Sequence, residues 1–168
     1  MVALGGLIAR VDGACLPALE VRGDATVEVS DVTIDSRAVR AGSLFCCVRG
    51  EHRDGHDYAA DAVRRGATAL LVDRVLDVPA TAQVVAADTR AATGHLAAAF
   101  NGHPSRELCV VGVTGTNGKT TTAHMLGAIL ARDGRRTTVL GTLSGARTTP
   151  EAPDLQRTLA HEDRKSVV

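Results

Sequence analysis

The chain is predicted to be an α/β protein, with a small N-terminal α/β domain over residues 1–104 followed by the start of a phosphate-loop, parallel-sheet domain over residues 105–168. Three observations carry this reading. Short apolar runs at residues 44–48, 69–72, 83–86 and 137–140 are bounded by turn residues, as buried strands are. Helical stretches alternate with them, which is the α/β pattern. Residues 108–113 form an apolar strand that runs into Gly115, Gly118, Lys119 and Thr120, and helical periodicity begins at once afterwards. That order is the strand–loop–helix layout of a phosphate-binding loop.

Taken in order, Leu4, Leu7 and Ile8 mark a short helix within residues 2–10. Val27, Val29, Val32 and Ile34 alternate as strands broken near Ser30 and Asp31. Asp35, Ser36 and Arg37 form a polar turn, and Ala41, Gly42 and Ser43 another, before the strand at 44–48. A polar loop spans residues 50–55. Residues 58–65 are helical, and Gly66 stands at the position after the last turn. After the strand at 69–72, Pro79 marks a loop and residues 83–86 a further strand. Asp88 is placed to cap a helix over 89–100, which the cluster at 101–104 ends. In the second domain, Ala123, Leu126, Ile129 and Leu130 give the helix its apolar side, and Gly134 closes it. The strand at 137–140 makes a parallel strand–helix–strand unit. Residues 141–153 form a Gly-, Thr- and Pro-rich loop, and a last helix begins at 155–159.

The loop at 112–121 carries the chemistry. Its glycines, at 112, 115 and 118, let backbone N–H groups face an anion, and the helix start adds unpaired donors and the positive end of a dipole. Lys119 would hold β- and γ-phosphates and the Thr120 hydroxyl would ligate Mg²⁺. The spacing departs from the usual G-x-x-x-x-G-K-[ST], because Val113 stands six before Lys119. The alternative is a glycine-rich turn with an incidental lysine. Against it, the chain has two lysines and seventeen arginines. In such a sequence a lysine stands out where a compact point charge suits a phosphate.

Composition excludes other classes. Net charge is zero and aromatic content is 2%, which gives no electrostatic footprint or stacking platform for nucleic acid. No apolar run reaches membrane-span length, and no leader pattern opens the chain. Cys15, Cys46, Cys47 and Cys109 make no C-x-x-C pair and read as buried free thiols of a cytoplasmic protein. His52 and His56 stand four apart beside Asp54 and Asp57, but the Asp54–Gly55 turn argues against a metal site there.

The residues from Val111 to Thr122, with Gly-Thr-Asn-Gly-Lys at their centre, closely resemble the ATP loop of the Mur ligases, which build the peptide stem of peptidoglycan. The same core is shared with folylpolyglutamate synthases and cyanophycin synthetases. Asp35-Ser36-Arg37, Gly42-Ser43-Leu44-Phe45, Asp54-Gly55-His56-Asp57-Tyr58, Pro104-Ser105, Gly141-Thr142, Thr148-Thr149-Pro150 and Leu155-Gln156 are similar to the members that add the third stem residue. The resemblance implies a substrate-binding domain at 1–104 and the beginning of an ATP-binding domain at 105–168. It implies ATP bound by Gly115, Thr116, Asn117, Gly118, Lys119, Thr120 and Thr121, with Lys119 catalytic and Thr120 on Mg²⁺. It implies that Ser36, Glu51, His52, Arg53, Thr148 and Thr149 touch UDP-N-acetylmuramoyl-dipeptide. The reaction implied is amide formation with an amino acid through an acyl phosphate, by a cytoplasmic monomer without nucleic-acid or membrane partners.

Each of these residues has a plainer reading beside it. Ser36 caps a turn, Glu51, His52 and Arg53 form a solvated loop, and Thr148 and Thr149 lie in an extended linker before Pro150. One strand–helix–strand unit does not cover both faces of a parallel sheet. The expectation is therefore that further strands follow Val168 or that the chain is a truncated product, inactive alone. The apolar end of the tail is where the family starts a strand. The family's following Glu, Ser-Ser-His, carbamylated lysine and C-terminal domain are absent. The alternatives are a short non-catalytic module binding a UDP-sugar peptide or ATP, and another enzyme of the superfamily.

Overall fold

The computed structural model describes residues 1–11, 19–78, 81–141, 149–161 and 166–167. The chain divides into two compact units, Met1–Phe100 and Asn101–Val168.

Unit 1 opens with β1 (Val2–Ala3) and α1 (Leu4–Ala9), then β2 (Glu20–Arg22), β3 (Glu28–Val29), β4 (Asp31–Thr33) and β5 (Ser43–Cys46). A 3₁₀ turn, Gly55–Tyr58, leads into α2 (Ala59–Arg64), followed by β6 (Ala69–Val72), β7 (Ala82–Val85) and α3 (Thr89–Phe100). β1 pairs with β3 antiparallel, Val2 opposite Val29. The main sheet has the order β2-β7-β6-β5-β4. β4 to β7 are parallel, and β2 closes one edge antiparallel, with Val21 opposite Val84.

Every residue of β5 and β6 is buried, because both faces of the sheet are covered. Alternation decides which residue goes where. Leu44, Cys46, Ala69, Leu71 and Val84 join Leu4 and Leu7 of α1 and Ala92, Leu96, Ala97 and Ala99 of α3 in one cluster. Phe45, Cys47, Leu70 and Val72 face the other way, with Ala59 and Ala62 of α2 and Val39. Besides Leu4, Leu7 and Leu96, the buried apolar residues of these helices are alanines. Asp88 caps α3 as expected, its carboxylate accepting the Ala91 N–H at 2.9 Å. Gly66, at φ +105, ends α2 in the left-handed region that favours glycine. The strand β2 has no counterpart in the sequence reading.

Unit 2 contains a 3₁₀ turn, Pro104–Arg106, then β8 (Cys109–Val110), α4 (Lys119–Arg132), β9 (Thr137–Thr138), α5 (Ala152–His161) and β10 (Ser166–Val167). The three strands are parallel in the order β8-β10-β9. The strand–helix–strand unit is therefore parallel as expected, but β10 lies between its two strands. The apolar tail does enter a strand.

Three expectations fail here. Residues 108–113 were expected to form a buried strand, yet only Cys109 and Val110 pair, and Val110 is 48% exposed. β8 is an edge strand with a two-residue partner, so its apolar run is paired on one side only. Ile129 was expected on the buried side of α4 and is 62% exposed. The inward face is set by Gly127, where a Cβ would lie 2.6 Å from Val139 Cγ2. Ala123 and Gly127 are buried there, and Ile129 lies about 200° round the helix from Gly127. Cys46 and Cys47 are buried as expected, whereas Cys109 is exposed on the edge strand. Cys15 lies outside the described residues.

Gly55 gives a direct test of packing in unit 1. A Cβ there would meet Val48 N at 2.7 Å and Val48 O at 2.8 Å, both backbone atoms. Gly55→Ala is expected to lower stability by about 3 kcal/mol, the cost of overpacking against atoms that do not yield. A urea titration followed by circular dichroism checks this; an unchanged midpoint would contradict the packing described.

Candidate functional site

The loop predicted to bind phosphate lies between β8 and α4. Two of its glycines need their freedom: Gly115 has φ +149 and Gly118 has φ +78. Gly118 is the left-handed residue immediately before α4, and its carbonyl accepts the Thr122 N–H at 2.9 Å. The first-turn N–H groups of a helix have no partner within it, and α4, with 14 residues, directs a full dipole at the loop. The Lys119 ammonium reaches back and donates to the Gly115 carbonyl and, at 3.5 Å, to that of Thr116. This holds the charge over the mouth of the loop.

A cavity of about 540 Å³ opens there. It is lined by Thr114, Gly115, Lys119 and Thr120 on one side and by Val139 to Gly141, Thr149, Pro150, Leu155 and Leu159 on the other. The volume is that of a small-molecule site. None of the described lining residues is acidic. Thr116, Asn117, Gly118 and Thr121 are exposed on the loop but do not line the cavity. Thr149 is brought to the same cavity as the loop; Thr148 lies outside the described residues. His124 also lines the cavity and was missed. It stands four residues after Thr120, one turn along the same side of α4, and that spacing was available in the sequence. The Thr120 hydroxyl offers one oxygen ligand for magnesium. The described lining has no carboxylate to complete a site, so such an ion would depend on phosphate oxygens.

In unit 1 the predicted residues follow the carboxyl ends of adjacent parallel strands, the edge where open α/β sheets bind ligands. Ser36 follows β4, in a turn held by Asp35. The Asp35 carboxylate accepts the Arg37 N–H at 2.9 Å and pairs with its guanidinium at 2.9 and 3.0 Å. The half-buried Ser36 stands between them. Glu51, His52 and Arg53 follow β5 and are all exposed. Arg53 donates to the Tyr58 hydroxyl at 3.0 Å.

Below them lies a charged cluster that sequence reading did not find. The buried His56 contacts Asp54 and Asp73, and Arg49 and Arg74 pair with both carboxylates. Asp73 and Arg74 follow β6, about twenty residues away in sequence, so no local pattern announces them. The backbone N–H of His56 holds the Asp54 carboxyl below its usual range, burial opposes this, and the imidazole and Arg49 add to it. The Arg37 side chain does the same to Asp35 more strongly than the backbone N–H does. Burial pushes the Cys46 thiol up to about 12, against a hydrogen bond with Thr93 that lowers it. It pushes Cys47 up as well.

With this geometry in place, comparison with known proteins gives the class. Residues 28–132 match the Mur ligase family, catalytic domain, and residues 113–168 match the Mur ligase middle domain. The chain belongs to the Mur ligase family. It is 41% identical over 163 residues to the UDP-N-acetylmuramoyl-L-alanyl-D-glutamate--2,6-diaminopimelate ligase of Geobacter sulfurreducens, an alignment covering 89% of this chain and 32% of that protein. The Bacillus licheniformis protein of the same name is 38% identical over 145 residues, covering 81% of this chain and 30% of its own length. The chain thus spans about a third of the length of these curated relatives. A solved structure of a ligase with that name aligns with TM-score 0.66 and 25% identity over 83% of this chain and 31% of the other. The MurF ligase of Thermotoga maritima, solved in complex with ADP, aligns with TM-score 0.59 and 25% identity over 82% of this chain and 31% of its own.

A carboxyl whose folded pKa lies below its unfolded one stabilises the fold above the unfolded value, and this is lost as pH falls through the folded one. Asp35 and Asp54 are both of this kind. Unit 1 should therefore lose stability below about pH 4. Asp54→Asn should be less stable at pH 7 and show a shallower acid loss, read from thermal midpoints between about pH 7 and pH 2. A slope equal to the parent's would contradict the ion-pair geometry.

Proposed function

We propose that this chain carries the nucleotide-handling elements of an ATP-dependent ligase that adds the third residue to UDP-N-acetylmuramoyl-L-alanyl-D-glutamate. The observation that carries it is the Gly118–Lys119 junction: a left-handed glycine, a helix mouth and a lone ammonium at one end of a cavity whose other end holds Thr149. Residues 105–168 bind ATP through Gly115 to Thr121. Lys119 offsets charge on the transferring phosphoryl group, and Thr120 supplies one oxygen to Mg²⁺. Magnesium, when bound, adds further charge stabilisation on the phosphates. Thr148 and Thr149 contact the muramoyl-peptide. Residues 1–104 bind the uridine-diphosphate end through Ser36 and the loop of Glu51, His52 and Arg53.

In the reaction, a D-glutamate carboxylate oxygen takes the γ-phosphoryl group and ADP leaves. The amine of the incoming residue then attacks the acyl phosphate, and phosphate leaves as the amide forms. The names of the relatives favour 2,6-diaminopimelate as that residue. We place the protein in the cytoplasm as a monomer; no helix among the described residues is long and apolar enough to cross a membrane.

Calorimetric titration with Mg·ATP tests this. The parent chain is expected to bind, and Lys119→Ala to bind about 10- to 100-fold more weakly, the loss of one charge-assisted contact. Circular dichroism of the variant should match the parent. Equal affinity in the variant would refute the role of Lys119.

A further inference from the structure

The loop that presents Glu51, His52 and Arg53 is fastened by a histidine that the reaction does not use. We infer that His56 is the positioning residue of that loop, an imidazole that donates from Nδ1 and accepts at Nε2 and so ties its turn to the carboxyl end of β6; the inference rests on the assignment of the loop to the UDP end of the substrate.

The ring is 1% exposed and has a partner on each nitrogen. Its Nε2 lies 3.1 Å from the backbone nitrogen of Asp73. A backbone N–H only donates, so Nε2 must present its lone pair. The proton therefore sits on Nδ1, which donates to Asp54 Oδ1 at 2.5 Å. The same oxygen accepts the His56 N–H at 2.9 Å. Asp54 is the last residue of the loop, and Asp73 follows a strand buried on both faces. The imidazole thus anchors a surface turn to the rigid centre of the sheet.

The charges around the ring pair with one another. Two carboxylates, Asp54 and Asp73, face it. The Arg49 guanidinium lies 3.0 Å from Asp73 and 3.5 Å from Asp54, and that of Arg74 lies 2.8 Å and 3.8 Å from the same pair. The buried Cys47 thiol is next to them, its ionisation opposed by burial and by both carboxylates. Two negative and two positive groups thus pair off around the ring. A second ring proton would change the bonding. Asp73 Oδ1 lies 3.1 Å from Nε2, so a protonated ring would donate there and leave the Asp73 N–H without its acceptor.

The rest of the loop depends on this anchor. The Gly50 N–H donates to the Arg53 carbonyl at 2.8 Å, and the Gly55 N–H to that of Val48 at 3.1 Å. Arg90 donates to the Arg49 carbonyl at 3.1 Å, tying the loop's start to α3. The three exposed side chains therefore stand on a stem ordered before any ligand arrives, which lowers the entropic cost of binding.

The test uses the full chain. Ring-nitrogen NMR at pH 7.5 is expected to show His56 as the Nδ1–H tautomer; an Nε2–H tautomer or an imidazolium overturns the inference. Amide exchange at Gly50 and Gly55, with calorimetric titration of UDP and Mg·ATP, follows for His56→Ala. The expected result is at least tenfold faster exchange at both glycines and about tenfold weaker UDP binding, with Mg·ATP affinity unchanged. His56→Asn keeps a donor where Nδ1–H stood and cuts only the link to Asp73. It should recover part of the protection, and it decides the matter if the alanine variant does not fold. Parental protection at Gly50 and Gly55 in either folded variant overturns the positioning role. Failure of the parent chain to bind UDP would sink the nucleotide-sugar assignment instead, and the exchange and tautomer results would still judge His56.

Discussion

The pairing of β5 with β6, each buried on both faces, is the constraint from which unit 1 follows. Two strands without a solvent side carry apolar residues at every position but Ser43, whose hydroxyl oxygen accepts the Arg40 N–H at 3.1 Å, and alternation sends the apolar residues into two separate clusters. Covering both faces requires α1 and α3 on one and α2 on the other. Parallel strands need crossovers, so all their carboxyl ends collect at one edge. Ser36, the loop from Glu51 to Arg53, and the Asp73–Arg74 pair stand there because of that topology. Ligand contacts at such an edge inherit their spacing from the sheet.

Unit 2 relies on backbone geometry more than on buried area. Its strands are two residues long, and among its described apolar side chains few are fully buried. The element that matters chemically, the turn from Gly115 to Lys119, is held by left-handed glycines, by the start of α4 and by the lysine's own contacts with loop carbonyls. Those features are local, which is why they are already formed on a thin scaffold. The likeness to Mur ligases extends over this unit as well as unit 1.

Elements set by local rules were legible in the sequence. The strand at Ala69–Val72 and the helix at Thr89–Phe100 lie where apolar period, cap residue and turn glycine place them. The glycine turn before Lys119 and the helix start after it were legible for the same reason. What escaped depends on partners distant in the chain. β2 carries one apolar residue, Val21, between Glu20 and Arg22, so nothing marks it as a strand until β7 pairs with it. The outward turn of Ile129 depends on Val139 meeting Gly127. The His56 cluster joins residues from two strand ends, and the histidine stood out in the sequence only as an implausible metal ligand and as one residue of the Asp54–Tyr58 resemblance. For the site, the residues of the loop were readable one by one, while their sharing a cavity with His124 and Thr149 was not.

The three described cysteines differ in a way that has a practical consequence. Cys46 and Cys47 are sealed in the two halves of the core and their thiolates are strongly disfavoured, whereas Cys109 is exposed at the head of the segment that becomes the phosphate loop. Alkylating reagents attack the thiolate and need access to it, so maleimide chemistry should discriminate sharply among these three sulfurs. A fluorophore attached at Cys109 would sit six residues from Gly115 and report on that turn, without cysteines being removed from the core.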